Sequence, residues 1–113
     1  MNQRRFPRAK YKCTVILQPS GEASSISTAT ENIGLGGVCV LLQQEVDIFS
    51  LVDLEISLDD GKPSLRISGT IVWVVKRGDL RRRGSFDTGI EFSELRPEDR
   101  SRLEAVIDKR ASR

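Results

Sequence analysis

Three arginines fall within five residues near the start of the chain, in Arg4-Arg5-Phe6-Pro7-Arg8, where Pro7 restricts the backbone between them. A guanidinium is a planar fork of donors. It binds a phosphate through two parallel hydrogen bonds, meets the Hoogsteen edge of guanine the same way, and stacks on purine faces. Such a segment suits a compact anion, although basic leaders of this kind are also common as solvated tails. A second constellation is Asn32-Ile33-Gly34-Leu35-Gly36-Gly37, with three glycines in four positions. Glycine lets the backbone turn tightly or come close to a ligand. Exposed amides there can donate to an anion, and the Asn32 side chain can accept from a base edge. A glycine-rich turn at a barrel corner fits the same residues. Arg81-Arg82-Arg83 is a third cluster, readable as an extension of an anion site or as a solvated turn.

Other chemistries lack their residues. The chain has no histidine and only two cysteines, Cys13 and Cys39, which removes the usual zinc ligand sets and the usual catalytic base. Each cysteine sits in an apolar run and reads as a buried thiol, with a disulfide between the two as the alternative. Acids are plentiful, but none is paired in a context for general acid and base work, and no nucleophile has an activator. A binding protein without catalytic residues, metal or cofactor is therefore expected. No run of about 18 apolar residues is present, so no membrane insertion is expected. The basic start has no apolar stretch behind it and does not read as a secretory signal, which favours a cytoplasmic chain.

Charge is distributed unevenly. Residues 1–12 hold five cations and no acid, residues 13–60 hold eight acids and no cation, and residues 61–83 hold seven cations against one acid. If the fold joins the two basic segments, a phosphate-rich partner has a site.

The elements that must position these residues are strands. From Leu51 to Asp59, Val52, Leu54, Ile56 and Leu58 alternate with polar residues, the pattern of a half-buried strand. Asp59-Asp60-Gly61-Lys62-Pro63 then turns the chain. A long run from Leu65 to Lys76 places Leu65, Ile67, Ile71, Trp73 and Val75 on one face. Phe86, Thr88, Ile90 and Phe92 alternate with Asp87, Gly89 and Glu91; Cys13, Val15 and Leu17 alternate earlier; Val38 to Leu42 is a β-branched apolar run; and Ser25–Glu31 makes a weaker partner strand. Six short strands separated by turns predict an all-β barrel or sandwich, and closing the sheet would remove exposed edges. Pro97, Glu98 and Asp99 open a C-terminal helix, and Leu103, Val106 and Ile107 form the stripe that packs it on the barrel. The organisation expected is a flexible basic arm over residues 1–12 and one barrel domain with its helix over residues 13–113.

Taken together and in this order, the two constellations resemble the PilZ domain family. Its signature is Arg-x-x-x-Arg in an N-terminal arm, followed by Asp/Asn-x-Ser-x-x-Gly between two barrel strands. Arg4 and Arg8 match the first motif; Asn32 and Gly37 match the ends of the second. Gly69-Thr70-Ile71-Val72-Trp73 and Gly89-Ile90-Glu91-Phe92 look like two further strands of the family, and Glu98-Asp99-Arg100 like the start of its final helix. The resemblance implies a six-stranded PilZ-type barrel with a C-terminal helix, acting as a cyclic di-GMP receptor that signals by conformational change to a downstream protein partner. It implies guanine and phosphate contacts for Arg4 and Arg8, with Arg5 as a supplementary cation. Asn32 would accept from a guanine edge, close backbone approach would come at Gly34, Gly36 and Gly37, and Trp73 is a candidate for base stacking that is equally readable as core. Gly34 stands where the family carries serine, which leaves room for a second reading, a PilZ-like adaptor that has lost the nucleotide. Nucleic acid is disfavoured, because a single-strand platform needs several exposed aromatics and only six aromatics are present.

Overall fold

The computed structural model describes residues 8–9, 12–77 and 84–111. Arg4, Arg5 and the cluster Arg81-Arg82-Arg83 lie outside the described residues, as does the side chain of Arg8. Seven strands and one helix follow in order: β1 (Arg8–Ala9), β2 (Thr14–Pro19), β3 (Ile26–Gly34), β4 (Gly37–Leu42), β5 (Leu51–Ser57), β6 (Leu65–Lys76), β7 (Phe86–Phe92) and α1 (Pro97–Ala111).

Every pairing is antiparallel. The order β3-β2-β5-β6-β7-β4 is closed by β4 pairing back onto β3, giving the expected six-stranded barrel. The two-residue β1 adds to the free flank of β3, beyond the end of its pairing with β2. Closure leaves the barrel without the exposed edges of an open sheet. Alternation explains the interior: Val15 and Leu17, Val38 and Val40, Leu54 and Ile56, Leu65 and Ile67, with Ile90, point into one cluster. The helix α1 seals it with Leu103 and Ile107 while lying against β1 and β3.

Local chemistry sets the turns. Asp59 and Gly61 take left-handed conformations, φ 57° and 78°, in the β5–β6 connection. That turn also anchors α1. Arg102 Nε and Nη2 donate to the two Asp60 carboxylate oxygens at 2.7 and 2.9 Å, and Arg102 also reaches the Pro63 carbonyl. This paired hydrogen bond holds the Asp60 carboxyl down at about 2. Cys13 and Cys39 are both buried and form no disulfide. The Cys13 amide donates to Thr30 Oγ1 at 3.0 Å, and burial pushes the Cys13 thiol up.

The segment Ser25–Glu31 is a partner strand as expected and runs three residues further, as the nine-residue β3, which pairs with β1, β2 and β4. One expectation changes. The segment expected as an Asn32–Gly37 loop is mostly ladder: Asn32 to Gly34 end β3, Gly37 begins β4, and only Leu35 and Gly36 turn. Its amides are largely committed to neighbouring strands, so fewer are available to a ligand than a loop would offer. Among the described residues no helix is long and apolar enough to cross a membrane.

Candidate ligand-binding face

The face is built by two irregularities in otherwise regular strands. In β3, Thr30 lies opposite Val40 but Asn32 lies opposite Cys39, so one residue of β3 is extra and the alternation resets. Thr30 therefore points inward and is buried, Ile33 is buried again three residues later, and Asn32 is turned to the outer face. In β6, Ile71 lies opposite Ile90 but Trp73 lies opposite Gly89, the same insertion of one residue. Ile71 is buried, Val74 packs against the core, and Trp73 and Val75 face outward. This corrects the expectation that Trp73 and Val75 share the face of Leu65, Ile67 and Ile71. At 40% exposed, Trp73 is not core. A bulge inserts one residue, bends the strand and re-aims the side chains beyond it.

The two re-aimed side chains belong to one row. Asn32 pairs with Cys39, Cys39 with Gly89, and Gly89 with Trp73, a line running across β3, β4, β7 and β6. The indole lies over Gly89 so closely that a Cβ there would sit 2.2 Å from its Cε2 and Nε1 atoms. Glycine at that position is what lets the ring lie down on the sheet. The next register position on β3 completes the arrangement, for Gly34 is paired with Arg8 and Ile33 with Ala9. The end of the arginine segment is thus joined by backbone pairing to the glycine-rich strand end.

Charged groups border the row. Arg77 bridges β3 and β7 through its Nη2 to Glu31 Oε2 at 3.1 Å and its Nε to Asp87 Oδ2 at 3.3 Å. Glu31 also accepts from the Cys39 thiol at 3.6 Å. Sequence reasoning passed over Arg77, Glu31 and Asp87. Only strand register brings them together, and no local spacing signals it. Gly37, by contrast, has a packing reason to be glycine: a Cβ would meet the Ile90 carbonyl oxygen at 2.2 Å. Gly36 contributes its carbonyl to the Phe92 amide at 2.9 Å.

A cavity of about 440 Å³ occupies a different part of the surface, the outer side of β2, β5 and β6, lined by Ile16, Gln18, Asp53, Glu55, Arg66 and Ser68 among others. Two carboxylates against one guanidinium give it the wrong charge balance for an anionic guest. Among the described residues no group of His, Cys, Asp or Glu is assembled to hold a metal ion.

The chain was compared with known proteins. The family model described as "PilZ domain" matches residues 2–109. No curated protein sequence matches the chain significantly. Among solved structures, the inhibitor of motility MotI/DgrA from Bacillus subtilis aligns with TM-score 0.77 at 19% identity, covering 100% of this chain and 54% of that one. The PilZ domain of YcgR from Escherichia coli, determined with c-di-GMP, aligns with TM-score 0.77 at 14% identity, covering 98% of this chain and 93% of that one. MrkH of K. pneumonia aligns with TM-score 0.79 at 12% identity, covering 99% of this chain and 52% of that one. The chain therefore spans about half the length of MotI and of MrkH. At these identities the likeness is one of fold.

Proposed function

The chain belongs to the PilZ domain family, and from that premise we propose that it is a cytoplasmic receptor for cyclic di-GMP, binding it on the Asn32–Trp73 face and relaying its presence to a protein partner. The observation that carries this reading is the pairing of Arg8 with Gly34. It ties the arginine segment to the strand end two residues from Asn32, which is where the family's two motifs must meet.

The chemistry follows from the guest. Cyclic di-GMP offers two phosphates and two guanines on a small ring. Arg4 and Arg8, with Arg5 in support, supply forked donors to phosphate oxygens and to guanine O6 and N7. Asn32, turned to the outer face, would accept from a guanine edge. Trp73, flat on Gly89 and open on its other side, offers a stacking surface worth about 1–3 kcal/mol per base. The close approach of a ligand to the backbone belongs to Gly34 and Gly36. Gly37 contributes indirectly, by letting β7 pass close beneath. The E. coli YcgR PilZ domain, which shares this fold, was determined with c-di-GMP. The arginine segment closing over the nucleotide would alter the surface around β1 and α1, which lie together, and so present binding to a partner.

A specific feature favours a second reading, a PilZ-fold adaptor without nucleotide. Gly34 lacks the hydroxyl the family motif places there, removing one hydrogen bond of about 0.5–1.5 kcal/mol. The packing explanation for Gly37 also means that this glycine alone does not require a ligand. Calorimetric titration with cyclic di-GMP, beside GTP and a short oligonucleotide, separates the two. The receptor reading expects saturable binding of the cyclic dinucleotide alone. Arg8→Ala should then weaken it by about 1.5–3 kcal/mol, roughly 10- to 150-fold. Gly34→Ser should strengthen binding or leave it unchanged. No heat of binding with cyclic di-GMP would leave the adaptor.

A further inference from the structure

The connection between β4 and β5, together with the first residue of β5, exposes what a small barrel ordinarily hides. Ile48 is 47% exposed, Phe49 76% and Leu51 61%. Phe49 adopts a left-handed backbone, φ 69°, which aromatic residues rarely take and glycine takes freely. The conformation is held from both sides. The Phe49 amide donates to the Ile71 carbonyl at the β6 bulge, the Ile71 amide donates to the Ser50 carbonyl at 3.0 Å, and the Ser50 hydroxyl donates to the Asp47 carbonyl at 2.6 Å. A glycine at 49 would suit this backbone and leave no phenyl ring in water. The chain instead holds an apolar tip in solvent through backbone hydrogen bonds, and among the described residues Phe49 is not part of the core cluster. An enforced backbone outlier bearing an exposed aromatic is the kind of feature that interaction sites display.

We propose that Ile48, Phe49 and Leu51 form a knob that docks into an apolar pocket on a different protein, a pocket bordered by lysines or arginines. The charge around the knob selects that occupant. Exposed Glu45 and Asp47 precede it in the chain and exposed Asp53 follows it, and residues 13–60 hold no cation; Arg66 shares the cavity with Asp53, which leaves Glu45 and Asp47 to set the sign. A second copy of this chain in a twofold contact would set those carboxylates against themselves, and an anionic membrane surface would be repelled by them. A cationic rim is attracted. The knob stands on the barrel itself and holds whether or not the Asn32–Trp73 face binds a nucleotide.

The test places the photoreactive p-benzoylphenylalanine at position 48 of the full chain in its native cells, with a control at exposed Thr14, at the far end of the β2–β5 ladder from Leu51. Illumination should give one adduct with a different protein from position 48 and none from position 14. The cross-linked peptide should be apolar with Lys or Arg beside it. Adding Glu45→Lys with Asp47→Lys should lower the yield at least fivefold, and Phe49→Gly or Leu51→Ser should do the same. Purified Phe49→Gly should melt no lower than the parent and keep the parent's cyclic di-GMP titration, whatever that is. Leu51→Ser provides the second variant should Phe49→Gly disturb the loop. An adduct with a second copy or with lipid, no adduct, equal adducts from both positions, or a yield indifferent to charge reversal would each overturn the proposal.

Discussion

The indole of Trp73 rests on the bare backbone of Gly89, and this pair sets what the outer face can do. Alanine at 89 would place a methyl carbon 2.2 Å from the ring, so the ring must lift. Because the ring is on the surface it can move, and the cost to folding should stay near 1–2 kcal/mol, at the mild end of overpacking. The consequence for binding is larger, since a lifted indole no longer offers its open face across the Asn32 row. Gly89→Ala should therefore lose affinity for cyclic di-GMP about as much as Trp73→Ala, up to roughly 3 kcal/mol. Trp73 is the chain's single tryptophan, so its emission reports the displacement directly as a shift in the unliganded protein. Full affinity in Gly89→Ala would remove Trp73 from the site. Gly37 makes the contrasting case, because there the obstructing atom is a backbone carbonyl that cannot move aside.

At the scale of elements, strands with one wet face were legible because polar and apolar residues alternate in them. β5, β6 and β7 run where the alternation puts them, and the C-terminal helix opens at Pro97 as its capping chemistry requires. The phase within β6 was not legible. Ile71 to Val75 is an unbroken apolar run, and a bulge inside it leaves no mark in the pattern. At the end of β3 the glycines of Asn32–Gly37 suggested a loop, whereas pairing with β1 carries Gly34 and pairing with β7 carries Gly37 as strand, and only Leu35 and Gly36 turn. The two motifs of the proposed site were legible as residue types; their meeting at Arg8 and Gly34 required the register. The bulge makes a sharp prediction. Val74 packs on the core and Val75 faces water. Val74→Asp should cost upwards of 3 kcal/mol in urea unfolding and Val75→Asp less than about 0.5; the reverse order would place the bulge elsewhere. A second prediction concerns α1. Asp60 is held at about 2 by Arg102, below its unfolded value of 3.8. The stabilisation is thus complete above roughly pH 4 and is lost as pH falls through about 2, a change of about 1–2 kcal/mol allowing for solvent screening. Asp60→Asn should be less stable at neutral pH by that amount and lack this part of the acid dependence, as followed by circular dichroism of thermal unfolding.

For the whole molecule, barrel closure decides where a ligand is felt. The seam that shuts the cylinder is β3 against β4, and the proposed face spans it, with β1 and β3 on one side and β7 and β6 on the other. A guest bridging Asn32 to Trp73 ties together strands about forty residues apart in sequence and opposes any opening of the seam. Ligand that binds only the folded barrel also raises its global stability, by about 2.7 kcal/mol at a hundred times Kd. Amide hydrogen exchange distinguishes the local effect from the global one when opening is partial. With saturating cyclic di-GMP, added protection should concentrate on residues 32–34, 37–40, 71–74 and 88–90. Exchange at residues 16–18, 53–55 and 66–68 should change far less, because they line the separate cavity on the other side of the barrel. Protection centred on that cavity would move the site across the molecule despite its two carboxylates, and would make the Arg8–Gly34 pairing a matter of folding alone.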